Sequence, residues 1–358
     1  MINVTKTFLP PQTEYQSILK YAWDTGWITN RGVLVRELEG KLRDYLKVPD
    51  VLLMTNGTLP LQIAIKALGL KREIITTPFS YVATTSSIIW EGCTPVFVDI
   101  HPEYLTIDET KIEAAITSKT SAILATHVFG NPCDVEAIEA IAIKYNLKVI
   151  YDAAHCFGVT YRGQSIFNYG DASTCSFHAT KLFHTGEGGA LFCKSDQFDK
   201  MYWHHNFGHD GQESFHGLGI NAKMSELQAA MGLAVLPYLS HVLESRKTVI
   251  DAYNEALYGL DIQLLGLRKH TEWNNSYYPI IFKNESQLLA VKNALNQANI
   301  FPRRYFYPSL NTVKYINGKS MPISERIASR ALCLPLYSGL SNANIERIIT
   351  IVKKELCW

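Results

Sequence analysis

Short apolar runs, separated by stretches with apolar residues at helical spacing, set the pattern of the first two thirds of the chain. Val51-Leu52-Leu53-Met54 is one such run and fits a buried strand. Asn56-Gly57-Thr58 follows, then a helical stretch from Leu59 to Leu68. Pro60 falls in its first turn, where a missing N–H removes no hydrogen bond. Glu73 to Thr77, Pro95 to Asp99, Ala122 to Ala125 and Leu147 to Tyr151 read as further strands, the first of these ended by Pro78. Before the last of them, Asp134 stands as an N-cap to Val135, Ile138, Ile141, Ala142 and Tyr145, which recur at helical spacing. Continuous apolar strands alternating with helices predict an α/β fold with a mostly parallel sheet covered on both faces.

Ligands on such sheets bind beyond the carboxyl ends of the strands. Asn56, Thr77, His127 and Asp152 all fall at or just past such ends, so the site is expected there. The character of the chain changes after about Leu236. Ser276 to Phe282 reads as a strand; Leu288, Val291, Ala294 and Leu295 form one helical face, and Ile345, Ile348, Ile349 and Val352 another. This predicts a large domain over residues 1–236, opened by an N-terminal arm over 1–30, and a small α+β domain over 237–358.

Composition narrows the function. The 358 residues are 47% hydrophobic, enough for a sizeable core. The 34 basic and 33 acidic residues nearly cancel, which argues against a nucleic-acid or polybasic membrane partner. No apolar stretch is long enough to cross a bilayer, and the start lacks a signal-peptide core, so a bacterial cytoplasmic setting is expected. The seven cysteines form no Cys-x-x-Cys pair and read as buried free thiols.

The chemistry centres on Lys181, in Ser176-Phe177-His178-Ala179-Thr180-Lys181, with Gly186-Glu187-Gly188-Gly189 just after it. A lysine is ordinarily a solvated surface charge. Here it is flanked by Phe177, Leu182 and Phe183 and by a glycine turn, which suits an amine that forms a Schiff base with an aldehyde cofactor, pyridoxal 5'-phosphate. Such a site needs a carboxylate against the pyridine nitrogen. Asp152 fills that part, with the small Ala153 and Ala154 leaving room for a ring; its ordinary alternative is a turn cap. His155 can hydrogen-bond the ring hydroxyl or hold Asp152. Gly57 and Thr58, opening a helix, can cradle the phosphate, and Ser176 can add a hydroxyl. Tyr81 can stack on the ring. A rival reading takes His204, His205, His209 and His216 as zinc ligands of a hydrolase. Glycines interrupt that segment and no cysteine joins it, so a loop at an interface suits it better and no metal is expected.

These stretches together resemble the DegT/DnrJ/EryC1/StrS family of nucleotide-sugar aminotransferases. The likeness runs over nearly the whole chain: Trp27-Ile28-Thr29-Asn30, Asn56-Gly57-Thr58, Thr77 to Thr84, Asp152 to His155, Ser176 to Lys181, Gly219 to Gln228 and Leu334-Pro335-Leu336-Tyr337. It implies the aspartate aminotransferase fold (type I of the pyridoxal phosphate enzymes), with a seven-stranded type of sheet between helices. It implies that Lys181 holds the cofactor as an internal aldimine and shuttles protons, that Asp152 pairs with the pyridine nitrogen, and that Gly57, Thr58 and Ser176 bind phosphate. It adds that Asn221 reaches the cofactor phosphate of a neighbouring subunit, making the active unit a homodimer. A branch with histidine in place of the lysine gives dehydratases, and Lys181 argues against it. Tyr151 departs from the acidic residue usual before the aspartate; on an alternating strand it should point away from the ring.

Within the family the likeness is to members that aminate C4 of dTDP-4-keto-6-deoxy-D-glucose with L-glutamate, for surface polysaccharide or related glycans. Amination at C3, or of a GDP- or UDP-linked keto sugar, stays open, as do other reactions on the same fold. Pro302-Arg303-Arg304-Tyr305 combines cations and a phenol suited to a nucleotide diphosphate and a hexose, so Arg303 or Arg304, with Tyr305, is expected to contact the substrate.

Overall fold

The computed structural model describes residues 1–316 and 318–356. Seven strands form the main sheet: β1 (Leu52–Met54), β2 (Glu73–Thr76), β3 (Thr94–Phe97), β4 (Thr120–Thr126), β5 (Lys148–Asp152), β6 (Ala172–Ser176) and β7 (Gly189–Cys193). Their order across the sheet is β1-β7-β6-β5-β4-β2-β3. The β2–β3, β2–β4, β4–β5 and β5–β6 pairs are parallel, whereas β7 runs antiparallel to both β1 and β6.

Successive side chains of a strand point to opposite faces, and here both faces are apolar. Leu52, Met54, Ile74, Ala122, Leu124, Ile150 and Leu191 pack into one core, with helices α3 (Leu59–Ala67), α4 (Val82–Trp90) and α6 (Ser195–His205) contributing Leu61, Ile65, Ile88 and Met201. Their strand neighbours Leu53, Ile75, Ile123, Ala125, Val149, Tyr151 and Phe192 pack into a second core. That core takes Leu34, Leu38 and Leu42 of α2 (Val33–Leu46), Ile138 and Ala142 of α5 (Val135–Tyr145), and Ala229 and Leu233 of α7 (Glu226–Val235), with Ala22 of α1 (Gln12–Thr25). Leu38 is fully buried, so its truncation to alanine should cost roughly 2–5 kcal/mol. Asp134 caps α5 by accepting the Ala137 N–H at 3.0 Å, as its position predicted.

A third core gathers the C-terminal elements: α8 (Leu239–Leu257), α9 (Glu285–Gln297) and α11 (Asn342–Leu356) around β9 (Tyr278–Ile281) and β10 (Ala331–Leu334). β9 is the middle strand of a small sheet, between β8 (Gln263–Leu264) and β10, and α10 (Pro322–Arg330) precedes β10. The start of the chain joins this region rather than the main sheet. Ile2–Asn3 pairs in parallel with Ile300–Phe301, and Ile2 is buried in the C-terminal core. A fourth cluster, with Phe79 and Phe129 from one side and Tyr277, Phe306 and Cys333 from the other, joins the two regions. Six cysteines are buried and free; the seventh, Cys357, lies outside the described residues.

Candidate active site

β5, β6 and β7 bring the site together through their register. β5 ends at Asp152 and β6 at Ser176, and β7 begins at Gly189, paired with Ser176 on one side and Met54 on the other. The last residues of three strands and the turn after β1 therefore lie along one edge of the sheet. A cavity of about 260 Å³ opens there.

Asp152 is buried on the cavity floor. Its Oδ2 accepts the Thr84 hydroxyl at 2.6 Å and its Oδ1 the Ala154 N–H at 3.1 Å. No cation of the described residues lies within ion-pair distance of it. Burial pushes its carboxyl above the usual aspartate value, against the pull of Thr84, Ala154 and Lys181.

Lys181 sits in the loop between β6 and β7. The loop is stitched by Phe177 N–H to Gly188 O (2.8 Å), Ala179 N–H to Gly186 O (2.7 Å) and Thr185 N–H to Phe177 O (3.0 Å). Gly186 has φ +80°, a conformation side chains disfavour, which accounts for one glycine of the turn. Lys181 Nζ donates to Tyr277 Oη at 3.3 Å. Desolvation lowers the basicity of this amine from the ordinary lysine value.

His155 Nδ1 accepts the Phe129 N–H at 3.1 Å, which leaves the ring proton on Nε2. Burial holds the imidazole neutral, well below its ordinary pKa. Its ring lies against Tyr277 (4.6 Å) and Phe306 (5.8 Å).

The cradle differs in detail from the sequence expectation. Asn56 Oδ1 accepts the N–H groups of Thr58 (2.9 Å) and Leu59 (3.0 Å), so the helix donors expected to be free are partly engaged by their own cap. Gly57 is held against Ser176, where an added Cβ would lie 2.7 Å from the Ser176 Cβ. The Thr58 and Ser176 hydroxyls line the cavity beside it, as does the ring of Tyr81, which is 55% exposed at the start of α4. Tyr151 points to the other face, buried and stacked on His127 at 4.5 Å.

The two adjacent arginines part company. Arg303 lines the cavity with Tyr305, its guanidinium 4.7 Å from that ring. Arg304 does not line it. Its Nη2 is bound to Glu285 Oε1 at 2.6 Å and to the Ser329 carbonyl at 3.0 Å. Asn221 is exposed and also lies outside the residues lining this cavity, at the base of the loop that follows α6. Sequence reasoning missed the roles of Thr84 and Tyr277. Thr84 had a findable signal, since it falls in the first turn of a helix that starts from a strand end. Tyr277 had none: it arrives from the C-terminal region.

The histidine segment does not converge. His204 and His205 each place Nδ1 at 2.8 Å from a carbonyl of their own helix, Lys200 and Tyr202 respectively. His209 packs on Phe215 and His216 on Trp203. Among the described residues no three histidine, cysteine, aspartate or glutamate side chains are grouped to hold a metal ion.

Residues 12–353 match the model of the DegT/DnrJ/EryC1/StrS aminotransferase family. The chain belongs to this family. It is 42% identical to dTDP-4-amino-4,6-dideoxy-D-glucose transaminase of Shigella dysenteriae, over 99% of this chain and 98% of that protein. It is 38% identical to the transaminase of the same name from Escherichia coli, over 98% and 97%. Its fold matches the crystal structure of DesI in the presence of its TDP-sugar product with a TM-score of 0.93, at 31% identity over 99% of this chain and 92% of that one. DegT/DnrJ/EryC1/StrS membership settles the fold as that of the sugar aminotransferases and implies pyridoxal phosphate as the cofactor.

The residues present fit that cofactor. Asp152 is a buried carboxylate without a cation, which a protonated pyridine nitrogen would supply. Gly57 packs so closely on Ser176 that an added Cβ would collide with it, which keeps the Ser176 hydroxyl beside the turn. The amine, the carboxylate and two hydroxyls face one space.

Proposed function

We propose that this protein aminates C4 of dTDP-4-keto-6-deoxy-D-glucose, with L-glutamate as amino donor, giving dTDP-4-amino-4,6-dideoxy-D-glucose. The observation that carries the reaction type is the convergence of Lys181 Nζ and the buried Asp152 carboxylate on one cavity. The sugar comes from the Shigella and Escherichia coli relatives, which bear that product in their names. Surface polysaccharide or a related glycan is the destination we assign to the amino sugar.

Lys181 would carry the cofactor covalently through Nζ, Asp152 would pair with its ring nitrogen, and Gly57, Thr58 and Ser176 would hold its phosphate. Tyr81 would cover a ring face, and the His155 Nε2 N–H would be available to a ring hydroxyl. When bound, pyridoxal phosphate supplies an electron sink and a carrier for the amino group. Lys181, released as a neutral amine, removes the α-proton of glutamate and later returns a proton at C4 of the sugar. Asp152 keeps the electron sink charged throughout. Arg303 and Tyr305 take the nucleotide diphosphate and hexose at the cavity mouth, and both half-reactions share this site. Asn221, exposed and away from its own cavity, serves the phosphate of a partner subunit in a homodimer.

Incubation with glutamate and a panel of C3- and C4-keto sugars on dTDP, GDP and UDP, with NMR of the products, tests the proposal. Equimolar 2-oxoglutarate and a C4-amino dTDP sugar are expected. Amination at C3, preference for another nucleotide, or no 2-oxoglutarate would overturn it.

A further inference from the structure

Tyr277 stands just before β9 and is only 5% exposed. It is the one hydrogen-bond partner of Lys181 Nζ among the described residues, and the same nitrogen lies 5.7 Å from the centre of its ring. The backbone leading to it is tied down from two sides. Asn274 donates its amide to the carbonyls of His155 and Phe157, both at 2.9 Å, and the Ser276 hydroxyl also donates to His155 O. These bonds fasten the segment to the loop that follows Asp152. From α8, the buried Arg246 donates Nε to Asn275 O (2.9 Å), Nη1 to Leu336 O (3.1 Å) and Nη2 to Ser276 O. A guanidinium buried against carbonyls alone, with no carboxylate partner among the described residues, is costly. What it secures is the path of the chain into Tyr277.

We propose that Tyr277 is a positioning residue for Lys181: its hydroxyl holds the free amine in one place whenever the lysine is released from its covalent partner. This rests on the reading of Lys181 given above. Proton transfer needs Nζ within hydrogen-bond reach of the carbon on which it acts, and a released lysine otherwise spreads over many rotamers. A phenol suits this task better than a carboxylate. A carboxylate at this point would pair with the ammonium and hold the amine protonated, whereas the base must be neutral. Burial keeps Tyr277 itself protonated by pushing its pKa up. The other titratable groups facing the amine are Asp152, His155, Cys156, Cys175 and Tyr305. None of them hydrogen-bonds Nζ.

The alternative is that the ring merely fills space beside His155 (4.6 Å), Tyr305 (5.3 Å) and Phe129 (5.8 Å). Tyr277→Phe keeps the ring and removes the hydroxyl, while Tyr277→Leu removes both. Two readouts separate the cases: single-turnover rates of each half-reaction, and the pH profile with which trinitrobenzenesulfonate labels Lys181 in apoenzyme, read by peptide mass mapping. For Tyr277→Phe both half-reactions should slow about tenfold or more, with KM for glutamate and for the keto sugar nucleotide held within about twofold. The labelling midpoint should fall by about half to one pH unit, because the ammonium loses its acceptor. If Tyr277→Phe matches wild type in rate and labelling and only Tyr277→Leu is impaired, the inference is wrong. Borohydride reduction of wild-type holoenzyme separates this from the underlying reading. A label on a lysine other than Lys181 removes both together; a label on Lys181 beside an unaffected Tyr277→Phe removes the inference alone.

Discussion

Two regions of this chain look alike on paper. The Asp152–Lys181 region and the His204–His216 segment both combine titratable side chains with glycines at short spacing. In three dimensions they diverge. Asp152 and Ser176 end adjacent parallel strands, and the loop from Ser176 carries Lys181 back over them, so the groups converge on one buried cavity. Two of the histidines end a helix and two lie in the loop after it; His204 and His216 approach to 6.1 Å between ring centres, but among the described residues no third ligand-type side chain joins them. Chemistry needs convergence and desolvation, and strand ends provide both.

The sharpest way to break this comparison is to remove one group from each region. Lys181→Ala should reduce turnover by about 10³-fold or more while still binding the cofactor. His209→Ala and His216→Ala should leave the reaction within about threefold of wild type, away from such machinery. A colourless protein holding stoichiometric zinc, lost in the histidine variants, would reverse the assignment. Asp152→Asn is the next largest effect. It should cost about 10²-fold or more in kcat, because the electron sink loses its fixed counter-charge. An asparagine variant of wild-type activity would remove Asp152 from the mechanism.

Arg303 and Arg304 repeat the comparison on a smaller scale. Arg303→Ala should raise KM for the sugar nucleotide about tenfold to a hundredfold, as loss of a bond to a charged group does. Arg304→Ala should leave KM unchanged and lower stability by about 1 kcal/mol, since its half-exposed partner Glu285 remains solvated. Equal KM effects from the two would show that both reach the substrate.

The smallest effect is one of pH. Burial raises the Asp152 carboxyl above its ordinary 3.8, so folded apoenzyme holds that proton more readily than the unfolded chain does. Below the unfolded value both states are protonated. Above the raised folded value both are ionised, and the buried charge destabilises the fold. Stability of apoenzyme from this group should therefore fall as pH rises from about 3.8 through the folded value. Denaturant titrations of apo wild type and Asp152→Asn over that window should differ in slope. Identical slopes would show that Asp152 is not desolvated.

Much of this was legible because buried parallel strands announce themselves. Apolar runs placed β1, β2, β3, β4 and β5 to within a residue or two. β7 was harder: Leu191-Phe192-Cys193 is apolar, but no local pattern shows that it runs antiparallel between β1 and β6. The N-terminal arm was read as part of the large domain, and Ile2–Asn3 in fact pairs with Ile300–Phe301, since pairing over such a distance leaves no periodicity. Asn56 read as part of a cradle, and the folded turn uses it to cap α3. Its Oδ1 takes the Thr58 and Leu59 N–H groups that a phosphate would otherwise accept from, and only the turn geometry decides where those donors go.

The amino-acid sequence by itself determined which chemical groups were available: a lysine in an apolar, glycine-bounded loop, an aspartate ending a buried strand, and small residues beside it. Those are local properties, carried by residue type and spacing. The tertiary structure decided which groups meet. It set Thr84 on Asp152, turned Arg303 in and Arg304 away, and brought Tyr277 from the other region to the lysine amine. Such meetings depend on strand register and on packing between residues far apart in the chain, which local spacing does not encode.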